Sequence, residues 1–278
     1  MPITFFRHIH MPDNDLITRI SPDEILTDFV EGFYVFKAQD LSGRQLFFND
    51  GYPVVALMQQ REGGMRINVN GKTVNIGNAW VCGGMLKNIY CESSGDTAAF
   101  FVIRFHPATF FKLFNIRENI FEHNSVFDLM EIAPHDAKLF LNDFYSASSV
   151  DKKVTVAADF LSRKISAIAV PALLGELINH IEKNPHLTVK DLSKAYGVRL
   201  NYKWLERNFK KYIGISPKEY LLLKRFLNAY RSLDALSSKT LLEIALDNGY
   251  CDDNHLIKDF RIFSGQSPKA FFQDNRRA

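Results

Sequence analysis

Two segments near the end of the chain carry hydrogen-bond donors at helical spacing. If both segments are helices, with about 100° between successive residues, each has one inward face and one outward face. The inward residues are Leu205, Phe209, Leu256 and Phe260. The outward residues are Lys203, Arg207 and Lys210 in the first segment and Asn254, Lys258 and Arg261 in the second, with Trp204 and Asp253 beside them. Arginine and lysine donate to guanine, asparagine pairs with adenine, and cations also contact phosphates. The two outward faces therefore predict double-stranded DNA as a partner.

A degenerate repeat must position these two faces. One copy opens at Thr188 and the other at Thr240, and an acidic residue follows each threonine after three positions. This spacing is typical of a helix start, because the threonine oxygen accepts from the amides of the first turn. Each copy continues with a glycine and then with Leu-x3-Phe-x4-Gly-x-Ser-Pro. The repeat predicts two helix-turn-helix units, each followed by a further helix that begins at Ser-Pro.

The segment between the copies, residues 217–236, has the length needed to link two such units. Its apolar stripe contains Tyr220, Leu223, Leu227 and Tyr230. A helix of this length spans roughly 30 Å. Successive major grooves on one side of B-DNA are roughly 34 Å apart. We therefore expect the connecting helix to place the two second helices in adjacent grooves.

Residues 172–273 resemble the C-terminal DNA-binding domain of the AraC/XylS family of bacterial transcription regulators. The resemblance is carried mainly by the second unit, through the segment Ile244-Ala-Leu-Asp-Asn-Gly-Tyr-Cys-Asp-Asp-Asn-His-Leu-Ile-Lys-Asp-Phe260 and the following Gly265-Gln-Ser-Pro268. The first unit has two more residues between Gly197 and Leu205 than family members commonly show. The resemblance implies sequence-specific binding to a promoter site of about two helical turns.

The N-terminal half resembles the N-terminal module of one branch of the same family. The matching segments are Phe48-Asn-Asp-Gly51, Val81-Cys-Gly-Gly84 and Ile103-Arg-Phe-His-Pro107. This resemblance implies that the N-terminal domain senses a small-molecule effector or dimerises the chain.

The distribution of charge and the composition agree with a DNA-binding protein. Residues 170–278 carry 18 Lys and Arg against 12 Asp and Glu, whereas residues 1–169 carry 16 against 19. A basic C-terminal part favours a polyanionic partner. The first residues lack the apolar core of a signal peptide, no run is long enough to span a membrane, and the three cysteines are scattered. These features indicate a cytoplasmic protein with no membrane partner.

The first 105 residues read as β structure. Residues 65–76 alternate apolar and polar side chains around Asn70-Gly71, which predicts a hairpin, and residues 46–57 repeat this pattern around Asp50-Gly51. Further strands are expected at 33–37, 79–82 and 98–105, and helices at 109–114, 136–147 and 154–168. The expected fold class is α+β, with a β-rich sandwich or barrel-like domain before an all-α domain that contains two helix-turn-helix units. We place the regulatory domain at residues 1–150, a linker helix at 151–171 and the DNA-binding domain at 172–278.

Two other classes of function remain open. One is an enzyme with a metal-bearing β-barrel that its C-terminal domain tethers to DNA, and this class predicts a metal bound through His8 and His10, with His106, His123 and His135 as further candidates. The other is an architectural DNA binder whose N-terminal domain forms oligomers and whose barrel is filled by its own side chains. The sequence has no G-x-S-x-G, H-E-x-x-H or P-loop motif, and Cys82 and Cys91 fit buried thiols better than a redox switch.

The hypothesis that these observations favour is a DNA-binding transcription regulator that responds to an effector. It is not an enzyme, and it has no catalytic residue, metal or cofactor. Besides DNA, the candidate partners are a small-molecule effector, RNA polymerase and a second copy of the chain.

Overall fold

The computed structural model describes most of the chain. The described residues are 17–36, 43–47, 50–60, 65–69, 72–93, 97–116, 120–122, 124–165, 170–235 and 239–277. They form mainly β strands before residue 129 and almost only helices after it, so the predicted α+β class is confirmed. No helix in this part of the chain combines the length and apolarity that crossing a bilayer requires.

Ten strands are described, and they form two antiparallel sheets. Their bounds are β1 (Ile17–Ile20), β2 (Val30–Phe36), β3 (Gly43–Phe47), β4 (Val54–Gln60), β5 (Met65–Val69), β6 (Lys72–Ile76), β7 (Ala79–Cys82), β8 (Ile89–Ser93), β9 (Thr97–Phe105) and β10 (Val126–Asp128). The strand order is β1-β2-β9-β4-β7-β10 in the six-stranded sheet and β3-β8-β5-β6 in the four-stranded sheet.

One predicted hairpin is confirmed and the other is wrong. β5 and β6 pair from Met65 with Ile76 to Val69 with Lys72, although the turn residues 70 and 71 lie outside the described part. The strands on either side of Asp50-Gly51 do not pair with each other. β3 pairs with β8 in the smaller sheet, whereas β4 pairs with β7 and β9 in the larger one. The Asp-Gly pair therefore marks a crossing between sheets, and Gly51 takes a positive φ of 87° there.

Both faces of the six-stranded sheet are buried, which explains why its central strands read as continuous apolar runs. One face meets the smaller sheet, and Trp80, Phe100, Val54 and the side chains around them pack between the two sheets. The other face, which includes Val55, packs against the helices that follow the strands.

The described residues of the N-terminal part also contain four α-helices, which are α1 (Phe110–Leu113), α2 (Leu129–Ile132), α3 (Ala137–Ser146) and α4 (Val150–Ser162). α4 was predicted as part of a linker, but its buried face belongs to the N-terminal core, where the Phe160 ring stacks on Phe140 at 4.2 Å between centroids. Ser149 caps this helix, so it begins four residues before the predicted Val154. The predicted domain boundaries remain a proposal, and this packing favours a division between Arg163 and Pro171.

Seven α-helices are described in the C-terminal part. They are α5 (Ala172–Lys183), α6 (Val189–Tyr196), α7 (Tyr202–Tyr212), α8 (Pro217–Asp234), α9 (Leu241–Asp247), α10 (Asp253–Ser264) and α11 (Pro268–Arg277). The predicted capping pairs are present at the starts of α6, α8 and α9, where the hydroxyl of Thr188, Ser216 or Thr240 accepts from a backbone amide and an acidic side chain accepts in return. Each cap satisfies amides that would otherwise lack a partner in the first turn.

Most of the C-terminal helices share one large core, to which the N-terminal domain adds a few side chains. Leu205, Phe209 and Phe226 are fully buried in it, and Leu46 and Met85 reach it from the β domain. A smaller cluster, which includes Ile244, Tyr250 and Leu256, joins α9 to α8 and α10. Because most of these side chains come from the helices themselves, the helical part has the apolar contacts that an independent domain needs.

We therefore predict that a fragment of residues 170–278 folds alone. It should show a helical circular dichroism spectrum and a cooperative thermal transition. Its midpoint should lie below that of the full chain, because removing the β domain exposes the apolar side chains that Leu46 and Met85 cover. A fragment without helical signal, under conditions where the full chain is folded, would contradict this prediction.

Candidate nucleic-acid interface

The first helix-turn-helix unit consists of α6 and α7. The side-chain oxygen of Asn201 accepts from the amides of Lys203 and Trp204 and so caps the start of α7. Leu205 and Phe209 are fully buried. This burial fixes the rotation of α7 about its axis and leaves the side chains of Lys203, Arg207 and Lys210 exposed.

The second unit repeats this arrangement with α9 and α10. Asp252 caps α10 by accepting from the amide of His255 at 2.8 Å. Leu256 and Phe260 are fully buried. The predicted outward side chains of this helix are accordingly exposed, and they are Asn254, Lys258 and Arg261.

The two flanking residues are placed differently from the exposed donors. Trp204 is half-buried and packs against the C-terminal core, and its carbonyl oxygen accepts from Asn208. Asp253 is also half-buried, in the first turn of α10. Both residues therefore lie at the edge of an outward face, and only part of each side chain is accessible to a partner.

The turns of the two units differ, as their unequal spacing in the sequence predicts. In the first unit a short 3-10 turn, Gly197–Arg199, stands between α6 and α7, and Val198 in it is fully exposed. In the second unit α9 ends in a turn at Gly249, whose φ is +74°. The extra length of the first unit is thus taken up in a surface bulge, and α7 keeps its buried leucine and phenylalanine.

The connecting helix α8 contacts both second helices through aromatic rings. The Phe209 ring lies edge-on to Tyr220 at 5.6 Å between centroids in the first unit. In the second unit the Phe226 ring stacks on Phe263 at 4.1 Å and lies edge-on to Phe260. These contacts make α8 the common support of both outward faces.

An ion pair that the sequence analysis missed joins α8 to the second unit. The guanidinium of Arg225 lies 3.2 Å from the carboxylate of Asp259 and 4.3 Å from the centre of the Tyr250 ring. Burial and the charge of Asp259 raise the pKa of the Tyr250 phenol above its ordinary range. Arg225 and Asp259 are 34 positions apart, so no local pattern could have paired them.

Two of the charged side chains in this region have structural partners. Lys210 lies 3.6 Å from Glu206 one turn earlier, and both side chains are nearly half exposed, so this ion pair is a weak one. The His255 ring lies edge-on to Tyr250 at 5.3 Å, so this ring packs against the second unit.

The histidine and cysteine candidates do not come together in the described residues. These residues contain no group of three or more histidine, cysteine, aspartate or glutamate side chains placed to hold a metal ion. His8, His10 and His123 lie outside the described part of the chain. His106 is held by the carbonyl oxygen of Thr27 at 3.1 Å, and burial lowers its pKa. Cys82 is buried, and burial raises the pKa of its thiol to about 12.

Comparison with known proteins places residues 195–274 in a helix-turn-helix domain family. The chain is 35% identical over 101 residues to the transcriptional activator RhaS of Pectobacterium carotovorum and 33% identical over 101 residues to RhaS of Pectobacterium atrosepticum. Each match covers 36% of this chain and 34% of the relative, so the chain spans about a third of the length of these relatives.

Similar solved structures include ToxT from Vibrio cholerae, with a TM-score of 0.45 and 13% identity over 92% of this chain and 96% of that one. The DNA-binding domain of AdpA, solved in complex with a target DNA, is similar over 37% of this chain and 93% of that one, with a TM-score of 0.34 and 25% identity.

We predict that the two outward faces read different base pairs. Arg207→Ala should relax base preference at one or two positions in one half of the DNA site and cost roughly 1–3 kcal/mol of binding free energy, because arginine can form two hydrogen bonds with guanine. Asn254→Ala should do the same in the other half, about one helical turn away. The measurement is a base-by-base specificity profile of each variant.

Lys194→Ala is the matched control, because Lys194 is an exposed cation on α6, outside both outward faces. It should leave the profile unchanged. If the Arg207 and Asn254 variants alter the same base pairs, or if neither alters any, the assignment of one groove to each helix is wrong.

Proposed function

We propose that this chain is a sequence-specific DNA-binding regulator of transcription of the AraC/XylS type. Residues 195–274 match a helix-turn-helix domain family, and transcriptional activators are 33% to 35% identical to the chain over 101 residues. One observation supports this most directly. Two helices in equivalent positions of two adjoining units each expose a row of hydrogen-bond donors, while their opposite faces are buried in the interior of the helical part. A surface that only had to be soluble would not need to repeat donors at the same helical positions.

In this proposal each unit serves one major groove. Lys203, Arg207 and Lys210 contact the first groove. Asn254, Lys258 and Arg261 contact the second, and Trp204 and Asp253 shape the edges of the two faces. α8 has 18 residues and so spans about 27 Å, a length compatible with one turn of B-DNA between the two helices.

The N-terminal domain is the regulatory part in this proposal. Trp80, Phe100 and their neighbours pack between its two sheets in the described part of this domain. A sensor and an architectural domain differ in whether a small molecule binds here. Residue-resolved chemical shifts of the N-terminal domain, recorded with candidate effectors, separate a sensor from an architectural domain.

The remaining parts of the proposal concern partners and compartment. The RhaS relatives are transcriptional activators, which supports a regulator rather than an enzyme. We also propose RNA polymerase and a second copy of the chain as partners and the cytoplasm as the compartment. The metal-dependent enzyme requires a stoichiometric metal ion bound through His8 and His10, so elemental analysis of the purified protein tests it directly.

We predict that the full chain binds duplex DNA selected from genomic fragments and that its affinity falls steeply as salt increases. Lysine and arginine displace counterions from phosphate, so the logarithm of the affinity should fall linearly with the logarithm of salt, by about 0.9 for each phosphate contacted. Lys210→Ala should weaken binding to all sequences alike and reduce this slope by about one.

Lys152→Ala is the control for the salt experiment. Lys152 is an exposed lysine on α4 of the N-terminal part, away from both outward faces, and its loss should leave the slope unchanged. Failure of the full chain to bind any sequence in the library, or binding that is independent of salt, would contradict the proposed function.

A further inference from the structure

We propose that the N-terminal domain sets the distance between the two DNA-reading helices by holding the last turns of α7 and α10 and the middle of α8. The chain then reads the spacing of its two half-sites as well as their bases. This inference rests on the proposed DNA binding and adds to it a specificity-determining role for side chains that do not face DNA.

The first contact is a lysine of α8 buried between the domains. Lys224 is 6% exposed, and its ammonium group donates to the backbone carbonyl oxygen of Asp50 in the β domain. The same ammonium pairs with the carboxylate of Glu182 on α5, and that carboxylate also accepts from the hydroxyl of Tyr220. A buried charge is tolerated only when it is paired and hydrogen-bonded, so Lys224 ties α8 to both partners.

The β domain has a charge network of its own at this point. Arg104 is 4% exposed and pairs with Asp50 and Glu31. Burial lowers the pKa of its guanidinium, but the carboxylates of Asp50 and Glu31 outweigh this effect and raise the pKa above its ordinary value. The ring of Tyr52 lies 3.8 Å from the Arg104 guanidinium and 5.1 Å from the Lys224 ammonium. Arg104 therefore fixes the position of Asp50, whose backbone carbonyl oxygen accepts from Lys224.

Gly51 is required for this close approach. Its φ is +87°, and a Cβ atom there would lie 2.5 Å from Cε2 of Tyr220, which is fully buried on α8. Any larger side chain would push the turn at residues 50–53 away from α8, because the Tyr220 ring has no open space into which it can move.

A second contact holds the end of α10. The backbone amide of Asn88 donates to the carbonyl oxygen of Phe263 at 2.8 Å. The hydroxyl of Tyr90 donates to the carbonyl oxygen of Ser264 at 2.5 Å. These carbonyls belong to the last turn of α10, where the helix itself provides no donor for them. The β domain thus satisfies the C-terminal end of the second DNA-reading helix.

A third contact reaches the end of α7. α1 of the N-terminal part packs against α7, and the ammonium of Lys112 lies 5.3 Å from the centre of the Tyr212 ring in the last turn of α7. The β domain therefore touches both DNA-reading helices at their C-terminal ends.

These contacts leave the outward faces open. Arg207 and Lys258 stay exposed while the domains are docked. Docking therefore does not act by covering the DNA-reading surface. What it restricts is the position of α7 relative to α10, because three segments of the same N-terminal domain contact α7, α8 and α10.

The test compares the full chain with two variants that weaken the first contact from opposite sides. Lys224→Met keeps an apolar stem but removes the charge, and Gly51→Ala places a methyl group against Tyr220. Controls are Lys218→Met, an exposed lysine on the same helix, and Gly175→Ala, a site where an added methyl group meets nothing within 4 Å. Circular dichroism confirms that every variant is folded, and the hydrogen-exchange rate of the Asn88 amide reports docking, because this amide is bonded to Phe263.

DNA binding is measured on a selected site and on two derivatives in which the half-sites are one base pair closer or one base pair farther apart. One base pair shifts the half-sites by about 3.4 Å and 36°. The full chain and both controls should lose about tenfold in affinity on the altered sites. In Lys224→Met and Gly51→Ala, hydrogen exchange at the Asn88 backbone amide should be faster than in the full chain. The DNA affinity of these variants should fall only about twofold to threefold on the altered sites.

Three results would overturn the inference, and they can be told apart. If the full chain binds no DNA, the proposed function fails and the inference falls with it. If the full chain binds and the variants exchange Asn88 faster but keep the full spacing penalty, docking does not set the spacing. If neither variant changes the exchange of Asn88, the buried lysine network does not hold the domains.

Discussion

The burial of α8 on nearly every side is the constraint on which the rest of the molecule depends. Tyr220 packs toward the first unit, Phe226 toward the second, and Lys224 toward the β domain. A helix that packs against three neighbours at once cannot rotate or slide without breaking several contacts together. The orientation of both outward faces and the docking of the two domains are therefore consequences of where this one helix lies.

Local patterns predicted the helical part well, because its signals are short in sequence. The threonine and serine caps are satisfied within four residues, and the leucine and phenylalanine of each second helix lie one turn apart. Periodicity alone then identifies the outward faces, which are exposed as expected. Periodicity could not predict the contact of Arg225 with Asp259 or that of Lys224 with Asp50, because these partners are 34 and 174 positions apart.

The β domain shows why some local signals mislead. Asp50-Gly51 has the composition of a hairpin turn, and the glycine does take a positive φ. The conformation of this pair nevertheless serves contacts with distant residues and not a hairpin. Asp50 pairs with Arg104, and the missing side chain of Gly51 leaves space for Tyr220. The same limit applies to α4, whose amphipathic pattern shows that one face is buried but not that Phe140 is what covers it. In both places the local structure depends on a residue that is distant in the sequence, and a short segment of sequence does not show which residue that is.

The distance along the chain between Asp50 and Lys224 also has a consequence for synthesis. The β domain leaves the ribosome long before α8, since 174 residues separate the two partners. Until α8 arrives, the Asp50 carbonyl oxygen has no lysine to receive, and Leu46 and Met85 lack the helical core that covers them. A β domain that folds before the helices are complete would display these apolar side chains to solvent, beside its buried arginine network. Chaperones that bind exposed apolar surface would act at this stage, and only completion of the C-terminal helices ends it.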